Sequence, residues 1–342
     1  MDGHGLGFIH GVSIVIILTY IVYVTHNQSA SVLDDRGLGR LQEVLTLNTT
    51  SSSDFPFTIV TAASSNHFCS LEHYLYSLHA IRKQVPKDKF PRIVVYDIGL
   101  KAEQLPVMDQ LVENGLVNDH HQLDFSRHPS FWNLRKNRGE YAWKTGIVNE
   151  VRQRIGGVII WLDSGDVPNK NFILKVPLYI RKHGLWSPSS SGTMNAYTHQ
   201  GMFNYFGANR KKYARKRNCN GAAFGFDSDN EIIVRDIIVP WYECGLDQNC
   251  IAPPESSRAN HRQDQAAFTF LVYRADYLCT VHPQEYGVKV HEDGKCKQKL
   301  KKLDEAGELF HPSGIDPPNQ APKNSPGNAL VEALAEEIDN VT

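Results

Sequence analysis

Apolar and polar positions follow two different patterns between residues 55 and 163. Short runs that are almost entirely apolar, such as RIVVYDIG and GVIIWLD, predict buried strands. Between them, apolar residues recur at the three- and four-residue spacing of an amphipathic helix. Because strands and helices alternate and the strands are apolar on both faces, we predict an α/β sandwich with a mostly parallel central sheet. The predicted strands cover residues 57–63, 92–99, 121–125 and 157–163, and the predicted helices cover residues 69–84, 105–114 and 140–154.

Two predicted strands of this Rossmann-like sandwich end in aspartate, Asp97 and Asp163. Ligands of such sheets bind beyond the carboxyl ends of the strands, so both side chains point to the expected site. No Gly-x-Gly-x-x-Gly follows the first strand, and the chain has no Gly-Lys-Ser/Thr phosphate loop. These absences from the sequence count against a dinucleotide-dependent oxidoreductase and a P-loop phosphotransferase.

The two ends of the chain differ in composition from its middle. Residues 8–24 are almost unbroken apolar sequence without a formal charge, which predicts an uncleaved transmembrane signal anchor after a short tail at 1–7. A cleaved signal peptide is the alternative. Residues 25–54 are polar and Ser/Thr-rich, which is typical of a stem. We expect a globular domain at 55–310 and a loosely ordered tail at 311–342.

Sequons and cysteines indicate the secretory pathway. The sequons at Asn27, Asn48 and Asn340 lie in the predicted stem and tail, where a glycan does not disturb a core. The six cysteines form no C-x-x-C pair, and an even number in this context predicts disulfides. Cys244 and Cys250 flank a short loop and are the predicted pair. We therefore expect a single-pass type II protein of the Golgi or endoplasmic reticulum membrane, with a lumenal domain.

The formal net charge of -1 gives no reason to expect a nucleic-acid partner. One cluster of basic residues is an exception to this near-neutral charge. It is interpreted either as a solvated surface or as a contact for phosphates. It consists of Arg210, Lys211, Lys212, Arg215, Lys216 and Arg217.

Asp163 and Asp166 follow the strand VIIWL and are separated by Ser-Gly. Two hard oxygen ligands near one point suit Mg²⁺ or Mn²⁺ carrying a diphosphate. The alternative is an Asx-type turn in which Asp163 caps the backbone and Asp166 faces water.

Two later segments carry further candidates. In His291-Glu-Asp-Gly294-Lys-Cys-Lys297, a metal-binding histidine, a glycine that allows close backbone approach and a lysine could cradle a diphosphate. An ordinary polar loop is the alternative there. Asp264 opens an apolar helix and is either a helix-dipole partner or a catalytic carboxylate.

Taken in order, these motifs resemble those of GT-A type glycosyltransferases, closest to the retaining galactosyl- and glucosyltransferase group of glycogenin and to uncharacterised animal proteins beside it. The resemblance covers roughly residues 55 to 310. The spacing Asp163-Ser-Gly-Asp166 departs from the Asp-x-Asp of that group, and no Pro-Trp follows Lys297. The resemblance implies a metal at Asp163, Asp166 and His291, donor-binding roles for Lys144, Asp163, Gly294 and Lys297, and a sugar site at Asp264 and Gln265.

The implied activity is transfer of a sugar, as by a hexosyltransferase, from a nucleotide-sugar donor to a hydroxyl of a glycan, protein or lipid. In an inverting reaction Asp264 acts as the base, and in a retaining one it orients the donor. A catalytically inactive lumenal protein that binds sugar or a partner is the first alternative. A glycoside hydrolase using Asp163 and Asp264 is the second, although the parallel strands and the late His/Lys motif argue against it.

Overall fold

The computed structural model describes residues 55–280 and 282–311. Its centre is a six-stranded sheet, and two small two-stranded sheets lie beside it. The strands are β1 (Thr58–Ala63), β2 (Arg92–Asp97), β3 (Asp119–Gln122), β4 (Val158–Leu162), β5 (Val167–Pro168), β6 (Leu185–Trp186), β7 (Ser189–Thr193), β8 (Arg217–Cys219), β9 (Ala223–Asp227) and β10 (Val288–Lys289).

The strand order in the main sheet is β3-β2-β1-β4-β9-β6. β1 pairs in parallel with β2 and β4, and β2 pairs in parallel with β3. β9 is antiparallel to both β4 and β6. Because β2 lies on one side of β1 and β4 on the other, the winding of the chain reverses between β1 and β4, which places the expected crevice beyond their carboxyl ends.

Twelve helices are assigned in the described residues. They are α1 (Phe68–Arg82), α2 (Leu105–Glu113), α3 (Ala142–Arg154), α4 (Lys170–His183), α5 (Met194–Tyr197), α6 (Gln200–Tyr205), α7 (Arg210–Tyr213), α8 (Glu231–Ile233), α9 (Val239–Leu246), α10 (Gln248–Ile251), α11 (Gln263–Arg274) and α12 (Cys296–Glu305). A π-helical turn, Val234–Ile238, joins α8 to α9.

The main sheet separates two hydrophobic clusters, because successive side chains of a strand point to opposite faces. Val60 and Trp161 belong to the cluster that contains Phe268 of α11. Their neighbours Ile59 and Ile160 belong to the cluster on the other side. Every residue of β1 and β4 is buried, as the continuous apolar runs predict.

The predicted strands and helices are present, with one strand displaced. The third strand lies at Asp119–Gln122 instead of residues 121–125. Its sequence Asp-His-His-Gln carries no apolar signal, because it is an edge strand whose side chains are only half-buried. The sheet is mostly parallel, and the strand that runs against the others is β9, which is antiparallel to its neighbours β4 and β6.

Helix α3 begins at Ala142 and not at Glu140, because the five residues before it form a left-handed turn. Asn137, Arg138, Gly139, Glu140 and Tyr141 all have positive φ. A side chain at Gly139 would collide with the carbonyl group of Trp132, so this position requires glycine.

All six cysteines form disulfides. The predicted pair Cys244–Cys250 is confirmed. Cys69–Cys296 joins α1 to α12, and Cys219–Cys279 joins the end of β8 to the segment after α11. The compact fold is thus covalently closed at both ends of the described chain.

The last described residues pack on α1. The backbone N–H of Phe310 donates to the Tyr76 hydroxyl at 2.8 Å, and His311 contacts the buried carboxylate of Glu72. His311 therefore belongs to the packed domain, although the prediction assigns it to the tail. The predicted N-terminal tail, signal anchor, stem, sequons and remaining C-terminal tail lie outside the described residues. In residues 55–280 and 282–311, no helix combines the length and the apolar character that crossing a membrane requires.

Candidate functional site

The site lies where β4 ends and Asp163 begins the next loop. The backbone N–H of Asp163 donates to the carbonyl of Ala222, just before β9, at 2.8 Å. This bond brings Gly221 beside the carboxyl end of β4. Lys144, in the first turn of α3, reaches the same point from one face of the sheet. The expected edge of the sheet therefore holds charged side chains from separate parts of the chain.

Lys144 is the centre of this group. Its Nζ lies 3.0 Å from Asp163 Oδ1 and 3.5 Å from Asp264 Oδ2, and it donates to the Gly221 carbonyl oxygen at 2.8 Å. The Lys144 side chain is only 4% exposed. A buried ammonium needs such compensation, because desolvation strongly disfavours an isolated charge. We call Lys144, Asp163 and Asp264 the charged triad.

Burial and mutual attraction set the charges of the triad. Burial disfavours the charged form of Lys144, but the carboxylates of Asp163 and Asp264 outweigh it and raise the pKa of the lysine. Burial raises the pKa of Asp264 to about 6, with Lys144 opposing this shift and Asp163 adding to it. Lys144 is therefore a permanent cation, whereas Asp264 changes charge near neutral pH.

Trp161 supports the triad from β4. Its indole Nε1 donates to Asp163 Oδ1 at 2.6 Å, and Lys144 Nζ lies 5.0 Å from the centre of its ring. The hydrogen bond holds Asp163 Oδ1 in place, and the contact with the ring stabilises the ammonium of Lys144. This role is not visible in the sequence, because Trp161 also fits an ordinary core position.

Asp264 and Gln265 lie in the first turn of α11. The Asp264 carbonyl oxygen accepts a hydrogen bond from Trp241 Nε1 at 2.9 Å, and Gln265 Nε2 donates to the Cys219 carbonyl at 2.6 Å. Gln265 thus ties α11 to the end of β8, next to Gly221. This anchoring fixes the position of Asp264 relative to Lys144.

The left-handed turn before α3 is joined to α11 by Glu140. Its carboxylate accepts from Asn137 Nδ2 at 2.9 Å and from Gln263 Nε2 at 3.2 Å, and it is buried. Gln263 itself has a positive φ. Non-glycine residues in this region are strained and concentrate at functional sites. The only sequence signal for this turn is Gly139, which explains why it was missed.

Asp166 is fully buried, so the interpretation in which it faces water is wrong. Its Oδ1 accepts from the His291 backbone N–H at 3.3 Å, whereas Oδ2 has no hydrogen-bond partner among the described residues. Burial, and next the nearby Asp163, raise the pKa of Asp166 well above its usual range. Asp166 is therefore a buried acid with one free oxygen beside the triad.

The loop that contains His291 packs against the Asp163–Asp166 turn through its backbone. The Glu292 N–H donates to the Gly165 carbonyl at 2.8 Å, and the Asp293 carboxylate lies where a side chain at Gly165 would be. Gly294 and Lys297 are exposed in the same segment. Within the described residues, no side-chain hydrogen bond or ion pair connects His291 or Lys297 to the triad. The predicted roles of these residues stay predictions.

Two carboxylate oxygens at the site are of the chemical type that a hard divalent cation prefers. Asp163 has one oxygen outside its bonds to Lys144 and Trp161, and Asp166 has its unpartnered Oδ2. In residues 55–280 and 282–311, no group of three or more His, Cys, Asp or Glu side chains is placed to hold a metal. Mg²⁺ is commonly held by one or two carboxylates together with substrate phosphates and water, so two oxygen ligands suffice for such a site.

The position of Lys144 argues against the hydrolase interpretation. A glycoside hydrolase places a sugar between two carboxyl groups. Here the ammonium of Lys144 contacts both Asp163 and Asp264 and occupies the space between them.

No protein-family model matches the chain, and no curated protein matches its sequence. Among solved structures, it is similar to the galactosyltransferase LgtC in complex with donor and acceptor sugar analogs, with 13% identity, a TM-score of 0.45, and 75% of this chain and 98% of that chain covered. It is also similar to the S. cerevisiae mannosyltransferase Ktr4p, with 9% identity, a TM-score of 0.40, and coverage of 66% and 67%. Mouse xyloside xylosyltransferase 1 matches with 11% identity, a TM-score of 0.39, and coverage of 66% and 84%. All three are glycosyltransferases, the class that the sequence motifs resemble. Since these TM-scores are below 0.5, the function rests on the residues of the site.

Proposed function

We propose that this protein is a glycosyltransferase that moves a sugar from a nucleoside diphosphate to a hydroxyl group of an acceptor. The observation that supports it is the charged triad at the carboxyl edge of the sheet. A buried cation held between two carboxylates suits a reaction in which negative charge develops on a diphosphate. In this proposal the partly exposed carboxylate of Asp163 and the exposed cation of Lys297 bind the donor.

Departure of the diphosphate leaves negative charge on its terminal oxygen as the bond to the anomeric carbon breaks. Lys144 contributes fixed positive charge at the site where this oxygen would lie, and Lys297 contributes a second, exposed cation. A Mg²⁺ or Mn²⁺ ion bound by Asp163 and Asp166, with His291 as a further ligand, would supply more positive charge to the diphosphate. Gly294 leaves room for close backbone approach to the phosphates.

The acceptor hydroxyl attacks the anomeric carbon, forms the new C–O bond and must lose its proton. In an inverting reaction, Asp264 takes this proton, and a pKa of about 6 suits a base that works near neutral pH. In a retaining reaction, the departing diphosphate oxygen takes the proton, and Asp264 orients the sugar. Gln265 is bonded to the Cys219 carbonyl and acts by holding Asp264 in position.

The sequence features at the chain ends support a location for this activity. An apolar signal anchor, sequons outside the core and six paired cysteines fit a lumenal enzyme of the Golgi or endoplasmic reticulum membrane. In this proposal the N-terminal helix anchors the protein in the membrane, and the acceptor is a glycan, protein or lipid.

The proposal is tested by donor binding to the purified full-length chain. We would screen UDP- and GDP-sugars for thermal stabilisation with and without Mn²⁺, in wild type, Asp163→Asn and the exposed control Asp88→Asn. We expect one donor to raise the melting temperature of wild type and control but not of Asp163→Asn. No shift with any donor would contradict the proposal. A shift without transfer or hydrolysis would identify a catalytically inactive sugar-binding protein.

A further inference from the structure

Charge is distributed very unevenly along this chain. Between Val167 and Phe226 the sequence contains ten lysine and arginine residues and no aspartate or glutamate, although the whole chain has a net charge of -1. Six of these cations fall between Arg210 and Arg217, which we call the basic segment. A concentration of one sign of charge attracts ligands of the opposite sign.

The cations of the basic segment have no carboxylate partner among the described residues. Arg210 is half-buried, and Lys211, Lys212, Arg215, Lys216 and Arg217 are exposed. None of them forms an ion pair with a carboxylate in the part of the chain that the structure describes. Their charge is therefore available to a ligand and is not consumed by neighbouring side chains.

The basic segment contacts the last turn of α11, the helix whose first turn carries Asp264. The N–H groups of Met194 and Asn195 donate to the carbonyls of Lys216 and Ala214, at 2.9 and 3.0 Å. Lys216 Nζ lies 5.2 Å from the ring centre of Tyr273 on α11. The segment also leads into β8, and α11 carries Asp264 in its first turn.

Arg262 is a further cation close to the triad. It lies two residues before Asp264, and its guanidinium lies 3.8 Å from the ring centre of Tyr197. Its Nη atoms are 3.4 and 3.5 Å from Ser191 Oγ. No carboxylate pairs with Arg262 among the described residues. A stacked arginine without a carboxylate partner is suited to a sulfate or carboxylate group.

From this arrangement we propose that the acceptor is an anionic glycan. Its sulfate or carboxylate groups lie along Arg262 and the basic segment, while the hydroxyl that receives the sugar reaches Asp264. The inference rests on the proposed transferase function, because it assigns the acceptor of that reaction. The position of Arg262, two residues before Asp264, favours an acceptor over a membrane surface or a nucleic acid.

The test compares two variants with equal loss of charge. Lys211→Gln/Lys212→Gln/Arg215→Gln removes three exposed cations of the basic segment. Lys83→Gln/Lys87→Gln/Lys89→Gln removes three exposed cations between α1 and β2. The probes are a heparin octasaccharide, an unsulfated polyuronate octasaccharide and a neutral one of the same length. Calorimetry on the full-length chain gives the Kd.

We expect the basic-segment variant to bind the heparin octasaccharide about tenfold or more weakly, and the control variant to bind it like wild type. The slope of log Kd against log salt should fall only in the basic-segment variant. If the polyuronate binds equally well, carboxylates carry the recognition; if it binds more weakly, sulfates do.

Equal Kd values for the two variants would overturn the proposal, as would equal binding of the neutral octasaccharide. Tighter binding to phosphatidylserine vesicles or to duplex DNA than to either anionic octasaccharide would overturn it as well. Donor-induced thermal stabilisation is measured in the same samples. Retained stabilisation without glycan binding rejects the anionic acceptor alone, whereas loss of both rejects the transferase function too.

Discussion

Gln263 donates a hydrogen bond to the buried carboxylate of Glu140, at 3.2 Å. This bond joins the turn before α3 to the first turn of α11. Glu140 lies in the left-handed turn just before α3, the helix of Lys144, and Gln263 begins α11, the helix of Asp264. The helices that bring a cation and a carboxylate together are thus joined at their first residues. The strain of this turn is offset by contacts that set the geometry of the site.

A reciprocal exchange tests this coupling. Glu140→Gln loses one charge-assisted hydrogen bond, which should lower the free energy of unfolding by about 1–3 kcal/mol. Gln263→Glu places two carboxylates together in a buried position and should cost at least as much. Because the exchanged amide and carboxylate can form the same bond in the reverse direction, the double variant Glu140→Gln/Gln263→Glu should recover part of the loss. Urea denaturation of the four proteins measures these energies.

The coupling energy distinguishes a direct bond between Glu140 and Gln263 from a general disturbance of the packing around them. A direct bond predicts that the double variant is more stable than the sum of the single effects by about 1 kcal/mol or more. Donor-induced thermal stabilisation should recover in the double variant as well, since the triad regains its geometry. Strictly additive losses would show that Glu140 and Gln263 do not act together.

Removal of the Lys144 ammonium should strongly lower the free energy of unfolding. Lys144→Met keeps the length of the side chain but leaves Asp264 buried without its ammonium partner. We expect a loss of about 3–5 kcal/mol in the free energy of unfolding. Lys144→Met/Asp264→Leu removes the orphaned charge as well and should regain much of that loss. An exposed control, Lys87→Met, should change stability by about 0.5 kcal/mol or less.

The double variant is the discriminating measurement here. If Lys144→Met/Asp264→Leu is no more stable than Lys144→Met, lost packing and not the unpaired carboxylate explains the effect.

Asp264 predicts a pH dependence of defined sign. Its pKa rises from the ordinary value of 3.8 to about 6, so between these values the native protein holds a proton that the unfolded chain has released. Stability from this group is therefore present below pH 3.8 and is lost as the pH rises through about 6. The loss amounts to about 3 kcal/mol, because one pKa unit corresponds to about 1.4 kcal/mol.

The measurement compares the unfolding free energies of wild type and Asp264→Asn from pH 4 to pH 8, with their difference expected to change mainly below about pH 6. If Asp264 is the base, kcat/KM for transfer should rise with pH through the same region and then level off. A stability difference that is flat from pH 4 to pH 8 would contradict the shifted pKa.

Strands whose position follows from a single local pattern could be predicted from the sequence. Continuous apolar runs located β1, β2 and β4, and an aspartate directly after β4 marked the site. The polar strand β3 was displaced because only its pairing with β2 makes it a strand. The antiparallel strand β9 contains Gly225, which packs against Ile160 and Ile180, and this close approach leaves no periodic pattern to read.

The contacts of the site required the tertiary structure. Lys144, Asp163 and Asp264 were each selected from the sequence, but nothing in their spacing shows that one ammonium contacts both carboxylates and the Gly221 carbonyl. The positive φ values around Glu140 are equally hidden, because four of the five residues in that turn are not glycine.

The disulfides should differ in their contribution to stability according to the length of chain that each closes. Cys69–Cys296 spans 227 residues and holds α12, with the loop before it, against α1, whereas Cys244–Cys250 spans six. The loop-entropy relation gives about 5 kcal/mol for the long closure and about 2 kcal/mol for the short one.

We therefore expect Cys69→Ala/Cys296→Ala to lower the urea midpoint roughly twice as far as Cys244→Ala/Cys250→Ala. Equal losses would show that local packing around each bridge, and not restriction of the unfolded chain, sets their effect. Only the long bridge holds the segment with His291 and Lys297, so its removal alone should also weaken donor-induced stabilisation.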